Sequence, residues 1–293
     1  MDYLVKAYAM HEGVRIYAAR TTDLVSYAQK RFNMWPTSCA ALGRTLTIGA
    51  IMSCTYKSGE FLNIIVDGDG PIGKITVEAT DGKVRGYVMN PGVYLKKGEK
   101  LNVGLGVGAG TIEVVKDLHM RQPFSSSCEI VSGEIAEDFT YYFAKSEQIP
   151  SSVGLGVLFN TDSTVRAAGG FLIQVMPGCK SEDLDKLEAK LKVIKPCSQM
   201  IDEGMSPEDI INEITDGDYE LLEKRDLAYE CNCSKERFRK ALLTVEEKDL
   251  EDIIEKDKKA EIVCNFCGEK YVFNENDLIS ILTEKKNQKK EQK

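Results

Sequence analysis

The chain has 293 residues, 43% of them apolar, nine cysteines and a formal net charge of −8. That length suits one large domain with attachments and a sizeable core, and an acidic chain without a clear basic stripe argues against nucleic acid as a partner. Its longest apolar stretch, Cys39 to Cys54, is broken by Arg44 and too short for a bilayer, and no segment resembles a secretory signal. Five cysteines (Cys39, Cys54, Cys128, Cys179, Cys197) stand singly, unlike a secreted disulfide framework, so a reducing, cytoplasmic compartment is expected and a membrane is not.

Residues 1–178 read as an α+β core domain, rich in strands with helices packed on them. Tyr3 to Ala9 and Val14 to Ala18 flank His11-Glu12-Gly13 and predict an opening hairpin. Thr22 to Phe32 and Thr37 to Ser53 predict helices, the second carrying small residues suited to close packing on a sheet. Phe61–Val66, Lys74–Ala79 and Lys83–Val88 predict strands, joined by Asp67-Gly68 and Asp81-Gly82. The run Gly104-Leu105-Gly106-Val107-Gly108-Ala109-Gly110 begins like a dinucleotide fingerprint, but strand-like Thr111 to Val115 follows where a helix is needed. Alternating glycines predict instead a strand closely approached by another element. Gly133 to Ser146 has acids ahead of aromatics at helical spacing, which predicts an amphipathic helix.

No hydrolytic constellation is present. His11 and His119 are far apart with no nucleophile motif nearby, and a single cysteine packs as a small apolar residue. Glu137-Asp138 reads as a helix start. The chain is not expected to be an enzyme.

Residues 179–230 change character. From 181 to 230 they carry 6 basic and 15 acidic side chains, against near balance on either side, and so hold almost all the net charge. Ser181 is a cap candidate for a helix presenting Leu184, Leu187, Leu191 and Ile194, closed by Pro196. Ser206-Pro207-Glu208-Asp209 starts another, leading to Ile210, Ile211 and Ile214. Such narrow apolar stripes give helices that are marginal alone and must lean on a partner surface. This segment is expected to be a helical acidic linker.

Residues 231–293 read as a small zinc-binding domain. Cys231-Asn232-Cys233 and Cys264-Asn265-Phe266-Cys267 are two close thiol pairs. Four thiolates hold one Zn²⁺ tetrahedrally at about 2.3 Å and leave no open position for substrate, which excludes a zinc enzyme. Ser234 predicts a cap, Thr244-Val245-Glu246-Glu247 a capping box, Ile262 to Cys264 and Lys270 to Phe273 the arms of a knuckle, and Asp277 the start of a small helix. Lys285 to Lys293 reads as a solvated, frayed end. So few large apolar residues make the module dependent on the ion, which supplies roughly 10 kcal/mol or more.

Metal-bound thiolates remain open to peroxide, and oxidation takes sulfurs from the metal. Cys264 and Cys267 can pair readily, Cys231 and Cys233 with more strain. Losing the ion removes the module's stabiliser. The acidic linker would then melt and expose Leu184, Leu187, Leu191, Ile210, Ile211 and Ile214, the candidate client-binding residues. A purely structural zinc-ribbon adaptor, or a nucleic-acid-binding protein, is the alternative reading of the same cysteines.

Ser132-Gly133-Glu134-Ile135-Ala136-Glu137-Asp138, Tyr141-Tyr142, Lys145-Ser146-Glu147-Gln148-Ile149-Pro150, Ala167-Ala168-Gly169-Gly170-Phe171 and the cysteine quartet together resemble the HslO family of redox-regulated heat-shock holdases, the thirty-three-kilodalton chaperonins. The resemblance spans essentially the whole chain. It implies an ATP-independent cytoplasmic chaperone, inactive while reduced and zinc-bound. It further implies that oxidation forms the disulfides Cys231–Cys233 and Cys264–Cys267, releases zinc, unfolds the linker and converts a monomer into a homodimer that holds unfolding client proteins.

Overall fold

A computed structural model of the chain describes residues 1–291. The chain forms two compact units, Met1–Glu230 and Cys231–Lys293. The larger begins with β1 (Tyr3–Ala9) and β2 (Val14–Arg20), an antiparallel hairpin, then α1 (Thr22–Phe32) and α2 (Pro36–Ser53). It continues with β3 (Phe61–Gly68), β4 (Ile75–Thr80), β5 (Lys83–Val88), the two-residue strands β6 (Lys96–Lys97) and β7 (Lys100–Leu101), α3 (Val103–Val107), β8 (Gly110–Asp117) and β9 (Phe124–Glu129). Next come α4 (Ala136–Tyr142), running into a π turn over Phe143–Glu147, then β10 (Ser151–Phe159) and β11 (Val165–Val175). The acidic stretch supplies α5 (Ser181–Leu191), α6 (Cys197–Asp202), α7 (Pro207–Thr215), β12 (Tyr219–Asp226) and β13 (Ala228–Tyr229).

Two sheets sandwich α2. One runs β10-β11-β2-β1-β12 and the other β13-β5-β4-β3-β8-β9. Of the 18 residues of α2, 17 are buried and only Arg44 reaches partly to solvent. A helix apolar on every side belongs between two layers, and α2 packs on β10 and β11 from one side and on β3, β4 and β5 from the other. The principal core, including Tyr17, Leu42, Leu46, Ile48, Ile51 and Met52, lies in this sandwich. The fold is α+β, with the expected strands and both early helices in place.

The five-stranded sheet has a second apolar face, and α5, α6 and α7 cover it. Val5, Ala7, Val14, Ile16, Ala18, Ala167, Phe171 and Ile173 of the sheet meet Leu187, Met200, Ile201, Ile210, Ile211 and Ile214. The glycines of β10 and β11 make this seat possible. A Cβ at Gly156 would lie 2.5 Å from the Ser198 hydroxyl oxygen, and one at Gly169 would lie 2.2 Å from Ile201. Helix α6 therefore sits directly on backbone.

Several local expectations are corrected. The glycine run is not a strand: Val103–Val107 forms a short helix, capped by the Asn102 side chain accepting from the Leu105 amide. The close approach is real, since a Cβ at Gly104 would meet the Ser132 carbonyl at 2.5 Å. The helix expected from Gly133 begins at Ala136, because the buried Asp138 carboxylate collects the amides of Val131, Ser132, Gly133 and Ile135 and holds that segment as a loop. Ser181 is the first helical residue and Lys180 the cap position. Pro196 leads into α6, which hydropathy spacing missed, and Tyr219–Asp226 pairs with β1 as an edge strand rather than remaining helical.

The smaller unit holds α8 (Lys235–Leu242), α9 (Glu247–Lys256), β14 (Lys259–Val263), β15 (Lys270–Asn274) and α10 (Glu275–Glu291). Its core is slight: Leu242, Leu250, Phe273, Leu278 and Ile281 are its buried cluster. Thr244 does not cap α9. Its hydroxyl donates to the Ala241 carbonyl and closes α8, leaving Glu246 at the cap position. The basic terminal run is not frayed up to Glu291 but continues α10, and Lys286 pairs with Glu251 of α9. Gln292 and Lys293 lie outside the described residues.

Candidate metal and redox centre

Local chain chemistry builds the centre from two sides. Cys231 and Cys233 lie in the extended stretch before α8. Ser234 anchors that stretch, its hydroxyl accepting from the Arg237 amide, and Arg237 in turn donates to the Asn232 side chain. Cys264 and Cys267 lie in the turn joining β14 to β15. Gly268 takes φ of +65° there, a conformation that glycine adopts without strain. The Gly268 amide donates to the Cys264 carbonyl at 2.6 Å, and the Cys264 amide donates to Glu269 at 2.9 Å.

These two pieces bring all four sulfurs within 4.8 Å of one another. Cys231 Sγ lies 3.8 Å from Cys264 Sγ, and Cys233 Sγ lies 3.3 Å from Cys267 Sγ. Four sulfurs about 2.3 Å from one tetrahedral ion stand about 3.8 Å apart, so the cluster has the dimensions of a closed four-thiolate site. Four soft ligands in that arrangement suit zinc better than a hard cation. The proximity does not single out Cys231–Cys233 or Cys264–Cys267 as pairs, because the closest sulfurs belong to different pairs.

The thiols are not equivalent. Burial raises Cys264 above the ordinary thiol range, although the amides of Phe266 and Cys267 face its sulfur and work against that. Burial also raises Cys267, with its sulfur neighbours adding to the effect and the Glu269 amide opposing it. At Cys233 burial pushes the same way, but hydrogen bonds from Tyr271 and the other thiols prevail and hold it below the ordinary range. The Tyr271 hydroxyl, on β15, stands 3.1 Å from Cys233 Sγ, and its ring packs on Phe238 of α8 with centroids 5.1 Å apart. Sequence reasoning missed Tyr271; the available signal was a hydroxyl-bearing aromatic just beyond the second thiol pair, on the strand that leaves the turn. Cys264 is buried, whereas Cys231, Cys233 and Cys267 are half-exposed and within reach of a small oxidant.

The remaining cysteines are elsewhere and differ in kind. Cys39, Cys54, Cys128 and Cys197 are buried. Burial pushes Cys54 and Cys128 up to about 11, Cys197 up to about 12 and Cys39 further still. Cys179 is half-buried, its sulfur 2.9 Å from where a Cβ on Gly13 would lie. His11 and His119 occupy exposed turns. Of the candidate client-binding residues, Leu187, Ile210, Ile211 and Ile214 are buried on the sheet and Leu191 packs at the edge of that cluster. Leu184 is half-exposed and stands apart from it.

The chain is thus an α+β protein in two units, the smaller organised on a closed cluster of four thiols. A family model described as Hsp33 protein matches residues 2–274, and the chain belongs to that family. It is 49% identical over 282 residues to the 33 kDa chaperonin of Bacillus subtilis, covering 95% of this chain and 97% of that one. The 33 kDa chaperonin of Staphylococcus aureus is 48% identical over 286 residues, covering 96% and 98%. The crystal structure of the 33 kDa chaperonin (heat shock protein 33 homolog) from Thermotoga maritima superposes with a TM-score of 0.90 at 34% identity, covering 97% of this chain and 99% of that one. Among the described residues no helix is long and apolar enough to cross a membrane.

Proposed function

We propose that this chain is a redox-regulated, ATP-independent holdase of the cytoplasm that binds unfolding proteins under oxidative stress and is not an enzyme. The observation that carries the proposal is the four-sulfur cluster, placed in a unit whose own apolar core is too small to stand alone. In the reduced form Cys231, Cys233, Cys264 and Cys267 hold one Zn²⁺, which when bound ties the two sulfur pairs together and supplies the stability that the core lacks.

Peroxide reverses that arrangement. One thiolate attacks peroxide, the O–O bond breaks, and the sulfur becomes a sulfenic acid. A second thiolate displaces its oxygen as hydroxide and forms the S–S bond. Each disulfide gives two electrons to one peroxide, which leaves as two waters after taking up two protons. Cys231–Cys233 and Cys264–Cys267 are the pairs favoured once the unit loosens. Residues two and three apart stay close in any conformation, whereas pairs more than thirty apart pay the full entropy of loop closure. Neither disulfide leaves thiolates enough to hold the ion.

The unit then unfolds, and the marginal acidic segment that precedes it in the chain melts. Helices α5 and α7 carry heavily acidic outer faces and rely on the sheet for stability. Their release uncovers Leu187, Leu191, Ile210, Ile211 and Ile214, with Leu184 beside them, and the sheet face they covered. These apolar surfaces bind unfolding clients and favour a homodimer over the reduced monomer.

The test measures zinc content and suppression of thermal aggregation on one sample, before and after hydrogen peroxide at elevated temperature. Loss of one zinc per chain together with gained suppression is the expected result. Zinc retained, or lost without any suppression appearing, would return the cluster to a purely structural role.

A further inference from the structure

Tyr271 stands outside the quartet, yet its polar atom reaches a sulfur of the cluster at hydrogen-bond distance. Its hydroxyl oxygen lies 3.1 Å from Cys233 Sγ. A metal-holding cysteine is a thiolate and has no proton to give, so the phenol must be the donor whenever the site is loaded. The tyrosine is well held for that task. It sits in the ladder of β15, paired opposite Ile262 of β14, and its ring lies against Phe238 with centroids 5.1 Å apart. The strand pairing fixes where the side chain leaves the backbone and so aims the hydroxyl, while Phe238 covers one face of the ring.

We infer that Tyr271 is a positioning residue of the switch, whose phenol holds the Cys233 thiolate in the metal-binding arrangement and sets how much peroxide is needed to disrupt it. This rests on the redox reading of the same four sulfurs. The physical basis is that a hydrogen bond draws electron density from a thiolate. The sulfur becomes a weaker nucleophile toward peroxide and a better anchored ligand. Groups that hydrogen-bond a metal ligand from outside commonly change metal affinity by about 10–100-fold when removed. Oxidation ends the interaction as well: a sulfur in a disulfide is neutral and a poor acceptor. The two electrons leave Cys233 and its partner thiolate together for peroxide, and the phenol keeps its proton and turns to water. Tyr271 thus joins the state of the sulfurs to the packing of β15 on α8, and through it to the small core.

Tyr271→Phe in the full-length chain tests this, since it keeps the ring on Phe238 and removes only the hydroxyl. Cobalt is loaded in place of zinc, and the sulfur-to-metal charge-transfer band is recorded. The variant is expected to shift the band to longer wavelength, to bind zinc about tenfold or more weakly, and to lose zinc several-fold faster under a fixed dose of peroxide. Phe238→Leu is the control for packing: it should lower thermal stability while leaving the band in place. A band and a release rate equal to wild type in Tyr271→Phe would overturn the inference, as would a shift of the same size in Phe238→Leu. If wild type itself keeps its zinc under peroxide, the redox reading fails, while the cobalt band still decides separately whether the phenol bonds Cys233.

Discussion

The Tyr3 hydroxyl on the first strand donates a 2.6 Å hydrogen bond to the Glu208 carboxylate at the start of α7, across 205 positions of chain. Lys224 of β12 completes the junction. Its ammonium lies 3.0 Å from Glu208 and 3.8 Å from the centre of the Tyr3 ring. The acidic segment is therefore fastened to the sheet by a polar clasp as well as by its isoleucines.

Removing the clasp should loosen α7 without unfolding the sheet. Tyr3→Phe is expected to lower the local opening free energy of residues 207–215 by about 1 kcal/mol, the scale of a partly exposed hydrogen bond to a charged group. Amide exchange there should accelerate roughly fivefold. The clasp also has a defined response to acid. Burial pulls Glu208 upward, but the hydrogen bonds from Tyr3 and Lys224 outweigh it and leave the carboxyl below its usual range. A depressed carboxylate contributes stability that is complete above the unfolded value of about 4.3 and is lost as pH falls through the folded one. Exchange rates of Tyr3→Phe and wild type should accordingly converge as the carboxyl is protonated in acid; a difference that stays undiminished throughout the acid titration would contradict this.

Ile210, Ile211 and Ile214 are at most 1% exposed. Truncating one of them to alanine should destabilise the seated segment by about 2–5 kcal/mol. On the holdase reading, Ile211→Ala should suppress client aggregation with less peroxide than wild type, or with none. Unchanged peroxide dependence in a variant shown by exchange to be loosened would separate segment melting from activation.

Asp2 gives an opposite and independent pH signature. It is buried, and its Oδ2 accepts from the Leu24 amide in the first turn of α1, where Thr21 offers no side-chain cap. Burial pushes its pKa up to about 6. A carboxyl raised in the folded state favours folding fully below its unfolded value of about 3.9, and that contribution disappears as pH rises through 6. Acidification from pH 7 to 5 should thus stabilise the larger unit through this residue, by an amount on the order of 1–2 kcal/mol. Asp2→Asn should flatten the response in urea titrations at the two pH values. An equally steep response in the variant would assign it to other groups.

Chelation under reducing conditions should unfold residues 231–293 selectively. With an apolar cluster of only five buried side chains, that unit is expected to depend on roughly 10 kcal/mol of metal binding. Hydrogen exchange should show protection lost across β14, β15 and α8 and retained in α2. Full protection of the small unit after the metal has demonstrably gone would mean that its core suffices.

The cysteine quartet was legible because metal chemistry constrains spacing directly: two close pairs are visible whatever lies between them. The strands and α2 were legible from alternation and small-residue packing. What sequence pattern missed shares a cause, which is tertiary partnership. Tyr219–Asp226 alternates weakly, and only its pairing with β1 makes it a strand. Asp138 reads as an ordinary first-turn acid, yet its four amide contacts delay the helix to Ala136. The glycine run became α3 because its neighbours demand close approach and Asn102 caps it, neither of which periodicity reveals. Tyr271 carries no pattern of its own; its role depends on a sulfur 38 positions away.

Nine thiols in one chain would ordinarily make a poor instrument, since each added thiol is another place for an oxidant to be spent. Here four lie deep in the larger unit with their protons held well above neutral pH, and a protonated, sequestered thiol scarcely reacts with peroxide. On the holdase reading, oxidising equivalents would therefore be spent chiefly at the quartet, with half-exposed Cys179 the remaining thiol open to them.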